Sequence, residues 1–411
     1  MLNGLAVSMI LNMKYSIRNI ALALSFFSIS ILPEHFSALL GGGSIRAGLT
    51  FAIAIFFLLA LPLGIRYFIT SKIILVNFSV FLLLLLSYLS SMLIFTGGDN
   101  IRFSLSIVLL LLLSFASSAF VMTLDSLKDE FFHKLILFGF YVLTCLGYIV
   151  LTQILFFGLE DKDMILFTEP SHYAIVYIPF VFYAIYTCDK KSYALLYLSA
   201  ALFLAMMIEN LTLLVGCLMI MFLLYGRRFM SLALVIPILV IAAYFLDLHY
   251  FISRLDFSPE NTNSSKLVFL SGWERAYLSF ISSNGIGVGF QQLGILGPEG
   301  DYQIMVRKIS GSNLNINDGG SLAPKLIAEI GLFGFILLLF YLSFAYKVVR
   351  KFLSRQINGS KNIFFLGVYL FFSIELFVRG MGYFSLTSFL LLSSLYWIYY
   401  SRIGMFSLPR T

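Results

Sequence analysis

Ionisable residues are few in this chain, and those beside apolar runs are the first places to look for chemistry. The segment Phe167-Thr168-Glu169-Pro170-Ser171-His172-Tyr173 follows Glu160-Asp161-Lys162-Asp163 and opens an apolar run. Pro170 suits the first turn of a helix, and Glu169 just ahead would sit at its positive end, an ordinary helix start. The chemical alternative is that Glu169 and His172, three apart, face one cavity as acid, base or substrate-orienting groups. Later, Asn315-Ile316-Asn317-Asp318-Gly319-Gly320-Ser321 precedes Leu322-Ala323-Pro324-Lys325. Asp318 either caps the helix that follows or accepts the proton of a substrate hydroxyl, with Asn317 beside it as a substrate contact.

The arginines form the complementary set. Arg275, in Trp273-Glu274-Arg275, carries a planar fork that matches phosphate; the plainer reading is a rim salt bridge with Glu274. The following Asn284-Gly285-Ile286-Gly287-Val288-Gly289-Phe290 is GxGxG rather than GxGxxG and lies in no βαβ pattern, so it reads as a turn at the membrane surface. Glu375 and Arg379, four apart, are expected on one face of one apolar span. There they are either an intrahelical pair or the lining of a functional cavity. Arg46 and Arg102 stand alone on short loops, and Arg254 joins them at the edge of the longest polar segment. A cavity lined by arginines and a few carboxylates fits an anionic lipid phosphate and a hydroxyl nucleophile. No HExxH, Cys/His cluster or paired-Asp motif is present, so no metal site is expected. Cys145, Cys188 and Cys217 have no ligand spacing and read as packing residues.

The elements that must hold these residues are membrane helices. The chain is 60% apolar and only 11% charged, with a mean hydropathy of +0.96. A soluble fold of this length could not hide that much apolar surface. Apolar runs of roughly 20 residues cross a bilayer, and lipid satisfies no bare backbone, so the runs must be helices. The fold class expected is therefore an all-α integral membrane protein of about twelve transmembrane helices. The spans fall at about 17–33, 48–68, 73–95, 104–124, 134–157, 172–188, 192–209, 211–226, 230–247, 321–346, 362–383 and 386–402. The first is expected to be retained rather than cleaved, because Ser28-Ile29-Ser30 is a poor processing site. Three regions follow: residues 1–247 with short loops, a large loop at 248–320, and residues 321–411.

The net charge of +7 does not point to nucleic acid, because its distribution is that of a topology signal. Most lysines and arginines fall in alternate short gaps, including Lys14/Arg18, Lys128/Lys134, Lys190/Lys191 and the run from Lys347 to Lys361. The opposite gaps hold only Arg46, Arg102, Lys162 and Arg379. Both termini are then expected in the cytoplasm, with the large loop and all the residues singled out above on the far side.

This layout resembles the O-antigen polymerase (Wzy) family of bacterial inner-membrane proteins over nearly the whole chain. The resemblance rests on one dominant outer loop before the last spans, on residues 167–173, and on Arg275 with Asn284-Gly285-Ile286-Gly287. It also rests on residues 326–334 and on Arg379-Gly380-Met381-Gly382-Tyr383-Phe384. It implies a class C-type glycosyltransferase fold and a periplasmic active site. The implied reaction passes a growing glycan from undecaprenyl pyrophosphate to the non-reducing end of a new lipid-linked repeat unit. Arg275 would then meet the departing pyrophosphate first, with Arg46, Arg102, Arg254 and Arg379 assisting; Asp318 and Glu169 rank above His172 as the base. No nucleotide or other cofactor is required, because the phosphoanhydride-linked donor carries the energy. Membrane lipids, a chain-length regulator and a flippase are the implied partners. O-antigen ligases share the layout but carry a histidine just before the next span, where this chain reads Asn317-Asp318-Gly319-Gly320. A transporter is the rival from another class, and would show internal repeats and midplane sites.

Overall fold

The structure is a computed structural model that describes residues 19–40, 45–60, 71–157, 164–225, 249–258 and 261–401. Glu160 to Asp163, the expected span 230–247, and the basic residues Lys14, Arg18, Arg66, Arg227, Arg228, Arg402 and Arg410 lie outside the described residues.

The described residues form helices without any strand. In chain order these are α1 (Asn19–Ser30), α2 (Pro33–Leu39), α3 (Ile45–Ala60), α4 (Ser71–Ile94), α5 (Asn100–Asp125), α6 (Asp129–Phe157), α7 (Pro170–Tyr186) and α8 (Lys191–Met207). They continue as α9 (Leu211–Tyr225), α10 (His249–Leu255), α11 (Ser264–Ser282), α12 (Asp301–Ser310), α13 (Leu322–Leu353), α14 (Ser360–Phe377) and α15 (Leu386–Tyr400). Among them, α4, α5, α6, α13 and α14 are long and apolar enough to cross a membrane. The pair α1 and α2, bent by 72° between them, has the apolar length only together, in the form of a broken span or a re-entrant loop. The chain is a multi-pass helical membrane protein.

Burial separates the helices that face lipid from those at the centre. Only 28% of α4 and 33% of α13 is buried within its most apolar window, against 78% for α14. Leu75, Phe78, Leu86 and Leu93 of α4 and Phe333 and Phe340 of α13 are exposed, which is the surface that acyl chains cover. At the centre runs α7, buried at every residue from His172 to Ile185 and packed on α6, α8, α9 and α14. A helix apolar all round belongs in such a place. Its tyrosines are satisfied across the packing: Tyr173 donates to Leu143 O at 2.8 Å, and Tyr177 meets Thr144 Oγ1 at 2.7 Å. A hydroxyl buried there without a partner costs several kcal/mol, so each such bond fixes the register of α7 against α6.

Two helix ends differ from the sequence expectation. α14 stops at Phe377 instead of running to 383, which corrects the placing of Glu375 and Arg379 on one helical face. The N–H groups of Val378 and Arg379 both turn to Ile374 O, and that of Gly380 leaves the helix for Gly320 O at 2.9 Å. α13 runs on to Leu353 but is broken at Gly331, where φ is 57°. Unbroken, its 32 residues would measure about 48 Å against a hydrocarbon core of about 30 Å. The break frees the first turns, with Lys325 and Glu329, to serve one end of the bundle.

Candidate functional site

The break in α13 organises this end of the molecule. At Gly331 the helical ladder stops, and the carbonyls of Ala328 and Glu329 accept instead from Val288 and Gly289 at 2.9 and 2.8 Å. Leu332 N–H returns to Gly285 O at 2.8 Å. The glycine run is therefore a strap laid on the break, its amides spent on protein carbonyls and, at Gly287, on Ser283 Oγ. Glycine is required at both partners: a Cβ on Gly331 would stand 2.0 Å from Gly285 O, and one on Gly287 2.5 Å from Glu329 O.

The strap ends at Gln291, a non-glycine residue held at φ 62° and 1% exposed. Its N–H and that of Leu293 donate to the two carboxylate oxygens of fully buried Glu329, at 3.0 and 3.3 Å. Lys325 Nζ lies 3.5 Å from the same carboxylate. So anchored, the Gln291 side chain points its Oε1 at two arginines. Arg46 Nη2 donates to it at 3.2 Å, and Arg102 Nε and Nη2 at 3.4 Å. Arg102 Nη1 also donates to Asn317 Oδ1 at 2.9 Å. Backbone strain of this kind costs of order 1–3 kcal/mol and gathers at functional sites.

Arg46, Arg102, Asn317, Asp318, Tyr383 and Phe384 line one cavity of about 400 Å³. Arg46 and Arg102 reach it from the first turns of α3 and α5, whose N-terminal dipoles add to the positive field. The Asp318 side chain is 42% exposed, and its Oδ1 lies 3.4 Å from Lys325 Nζ. Asp318 does not cap α13, whose N-cap residue is Ser321. This cavity joins two guanidiniums bonded to neutral amide oxygens with one open carboxylate. Such a set can bind an anion of more than one charge beside a group able to take a proton.

A second set surrounds the start of α7. Glu34, 4% exposed, accepts from Thr168 N and Oγ1 at 2.7 Å each and lies 3.1 Å from His172 Nδ1. His172 Nε2 lies 3.9 Å from Glu169 Oε2. Glu169 makes its strong contact elsewhere, accepting from Arg379 Nη2 at 2.6 Å and Ser171 Oγ at 3.0 Å. Burial works to raise the Glu169 carboxyl, but Arg379 and His172 outweigh it and hold it below the usual carboxylate range. Glu375, fully buried, accepts from Thr387 Oγ1 and from Met381 N–H at 3.3 Å, and so it holds the turn that carries Arg379 to Glu169. Glu169, Arg379 and Arg254 line a separate cavity of about 450 Å³.

Arg275 lies away from both cavities. It is 3% exposed and donates to Ile316 O at 2.6 Å. Burial lowers it to about 10, opposed by nearby Glu329, so it stays charged at neutral pH. Its neighbour Glu274 makes no ion pair with it, and instead accepts the N–H groups of Asp301 and Tyr302, at 3.0 and 2.9 Å, at the start of α12. Arg254 stacks on Tyr250, 4.2 Å from the ring centre.

The chain matches no family model and no curated protein. Of the residues singled out in the sequence, the structure brings Arg46, Arg102, Asn317 and Asp318 together. It sets Glu169, His172, Glu375 and Arg379 beside one another as the second group. Glu34, Gln291 and Lys325 carry as much of the geometry and have no distinguishing motif, and Glu329 stood in the 326–334 stretch without being singled out. Glu329 did offer one signal, since a carboxylate inside an apolar helix is costly without a partner; Glu34, just past the expected first span, offered none.

Proposed function

We propose that this protein is a lipid-linked oligosaccharide polymerase of the O-antigen type. In this reading it sits in a bacterial inner membrane, with twelve spans in a class C-type glycosyltransferase arrangement, cytoplasmic termini and a periplasmic site. The observation that carries the reading is the cavity of about 400 Å³ lined by Arg46, Arg102, Asn317 and Asp318.

The donor is a glycan joined through its anomeric carbon to undecaprenyl pyrophosphate. A hydroxyl at the non-reducing end of the acceptor attacks that carbon and gives its proton to the Asp318 carboxylate. The bond from the anomeric carbon to the phosphate oxygen breaks, and both its electrons leave with the diphosphate. Negative charge thus grows on the leaving oxygen, where Arg46 and Arg102 neutralise it. Removing one such preorganised donor costs on the order of 10²–10³ in rate. Asp318 is preferred to Glu169 because its pairing with Lys325, at 3.4 Å, is looser than that of Glu169 with Arg379, at 2.6 Å. Arg275 positions the 315–320 loop through Ile316 rather than meeting the diphosphate itself.

The test is a gel of products made by purified protein from pyrophosphate-linked polyprenyl repeat units of its own host. Wild type should give a ladder of lengthened lipid-linked glycans, which Asp318→Asn and Arg102→Ala should abolish without unfolding the protein. A single product on lipid A core instead of a ladder would replace polymerase with ligase.

A further inference from the structure

The cavity of about 450 Å³ at the start of α7 takes no part in the chemistry just described. Its lining includes Glu169, Glu209, Arg254, Phe257, Phe269 and Arg379. It adjoins the arginine cavity through two shared segments. Gly320 and Arg379 face it, while Asp318 and Met381 face the other cavity. The two segments are stitched by the Gly380 N–H bond to Gly320 O at 2.9 Å. A Cβ on Gly380 would lie 2.8 Å from Ser321 Cα, so the two segments pack backbone against backbone.

The charges in this cavity do not suit a second diphosphate. Arg379 is neutralised by Glu169 at 2.6 Å. Lys266, 3% exposed, spends its ammonium on the carbonyls of Ser258 and Asn261. Glu209 adds a further carboxylate. One guanidinium remains, that of Arg254, held over the Tyr250 ring at 4.2 Å and set against two carboxylates in the same lining; the rest is aromatic and hydrogen-bonding. Phe257 is 56% exposed, and its ring centre lies 6.4 Å from that of Phe269. The Glu209 carboxylate and the aromatic faces suit a ring with hydroxyls on its edge and C–H bonds on its face.

Glu209 is placed there against the preference of the backbone. It follows the C-cap of α8 at φ 55°, where its N–H bonds Met206 O at 3.0 Å and that of Asn210 bonds Ala205 O at 2.8 Å. This paired closure favours glycine at the Glu209 position. A glycine would serve the helix end better, whereas a glutamate supplies a carboxylate to the cavity wall.

We infer that this cavity is the subsite for the sugars of the acceptor, an uncharged hydroxyl-rich oligosaccharide held by Glu209 and Phe257. The assignment of those sugars to an acceptor rests on the polymerase reading; the binding of a glycan here does not. The probe is the lipid-free repeat-unit oligosaccharide, with binding to the purified full-length protein read by saturation-transfer NMR. Inhibition by inorganic pyrophosphate is measured beside it.

Glu209→Gly should leave the melting temperature unchanged or raise it, yet weaken oligosaccharide binding at least tenfold, with pyrophosphate inhibition unaltered. Phe257→Ala should do the same to binding, and Arg102→Ala should show the opposite pattern. Oligosaccharide affinity unchanged in both Glu209→Gly and Phe257→Ala would overturn the assignment, as would displacement of the sugar by pyrophosphate. If Glu209-dependent binding persists while no ladder forms, the subsite stands and only the polymerase reading falls.

Discussion

Arg275 and Arg379 show how the same side chain takes different work from its surroundings. Arg275 is buried and holds the 315–320 loop through Ile316 O, so Arg275→Ala removes a charge-assisted bond to a half-buried carbonyl. The expected loss is about 1–3 kcal/mol, seen as a lower melting temperature with activity falling in step. Full activity at an unchanged melting temperature would refute that role. Arg379 instead keeps the Glu169 carboxyl below its ordinary range. A carboxyl so depressed contributes stability above its unfolded pKa and loses it as pH falls through the folded one. Arg379→Gln should therefore lower stability at neutral pH and flatten its acid limb, moving the onset of acid unfolding toward neutrality. The alkaline limb should stay put; melting temperature against pH in detergent reads both. The residue types were legible in the sequence for Arg46, Arg102, Asn317 and Asp318. Their meeting was not, because Arg102 and Asn317 are 215 residues apart and only the fold shows that they bond. Gln291 had no signal at all, since a neutral side chain becomes important only once φ and burial are known.

Helix identity was readable from composition, but helix ends were not. The apolar run through residues 362–383 continues smoothly in sequence, yet α14 ends at Phe377 because Gly380 leaves to pair with Gly320. Such tertiary bonds leave no mark on hydropathy. The break in α13 was hidden for a different reason: glycine is common inside membrane helices and need not bend them. Here Gly331 must be glycine, since φ is 57° and a Cβ would strike Gly285 O. Gly331→Ala should cost more than about 1 kcal/mol, release the strap and speed amide hydrogen exchange at Val288 and Gly289. Exchange left at the wild-type rate there would show that the strap does not depend on the break.

Across the whole molecule, loops expected on one side of the membrane do gather at one end of the bundle, with both cavities among them. At the opposite end Lys361 donates to the carbonyls of Asp125 and Leu127 at 2.8 and 2.7 Å; the positive-inside expectation puts that end in the cytoplasm. Cysteine labelling in a variant lacking Cys145, Cys188 and Cys217 tests that orientation. Ser312→Cys, on the exposed outer loop, should react with a membrane-impermeant maleimide in intact spheroplasts, and exposed Asn358→Cys only after permeabilisation. The reverse pattern would invert the protein and carry both cavities to the cytoplasm. The central claim is that the arginine cavity drives glycosidic bond formation by receiving a diphosphate leaving group. It is tested most directly by counting polyprenyl pyrophosphate released by purified protein against glycosidic bonds formed. The account predicts one released per bond and a fall of roughly 10²–10³ in that rate for folded Arg102→Ala; lengthened glycans without pyrophosphate release, or a variant as fast as wild type, would contradict it.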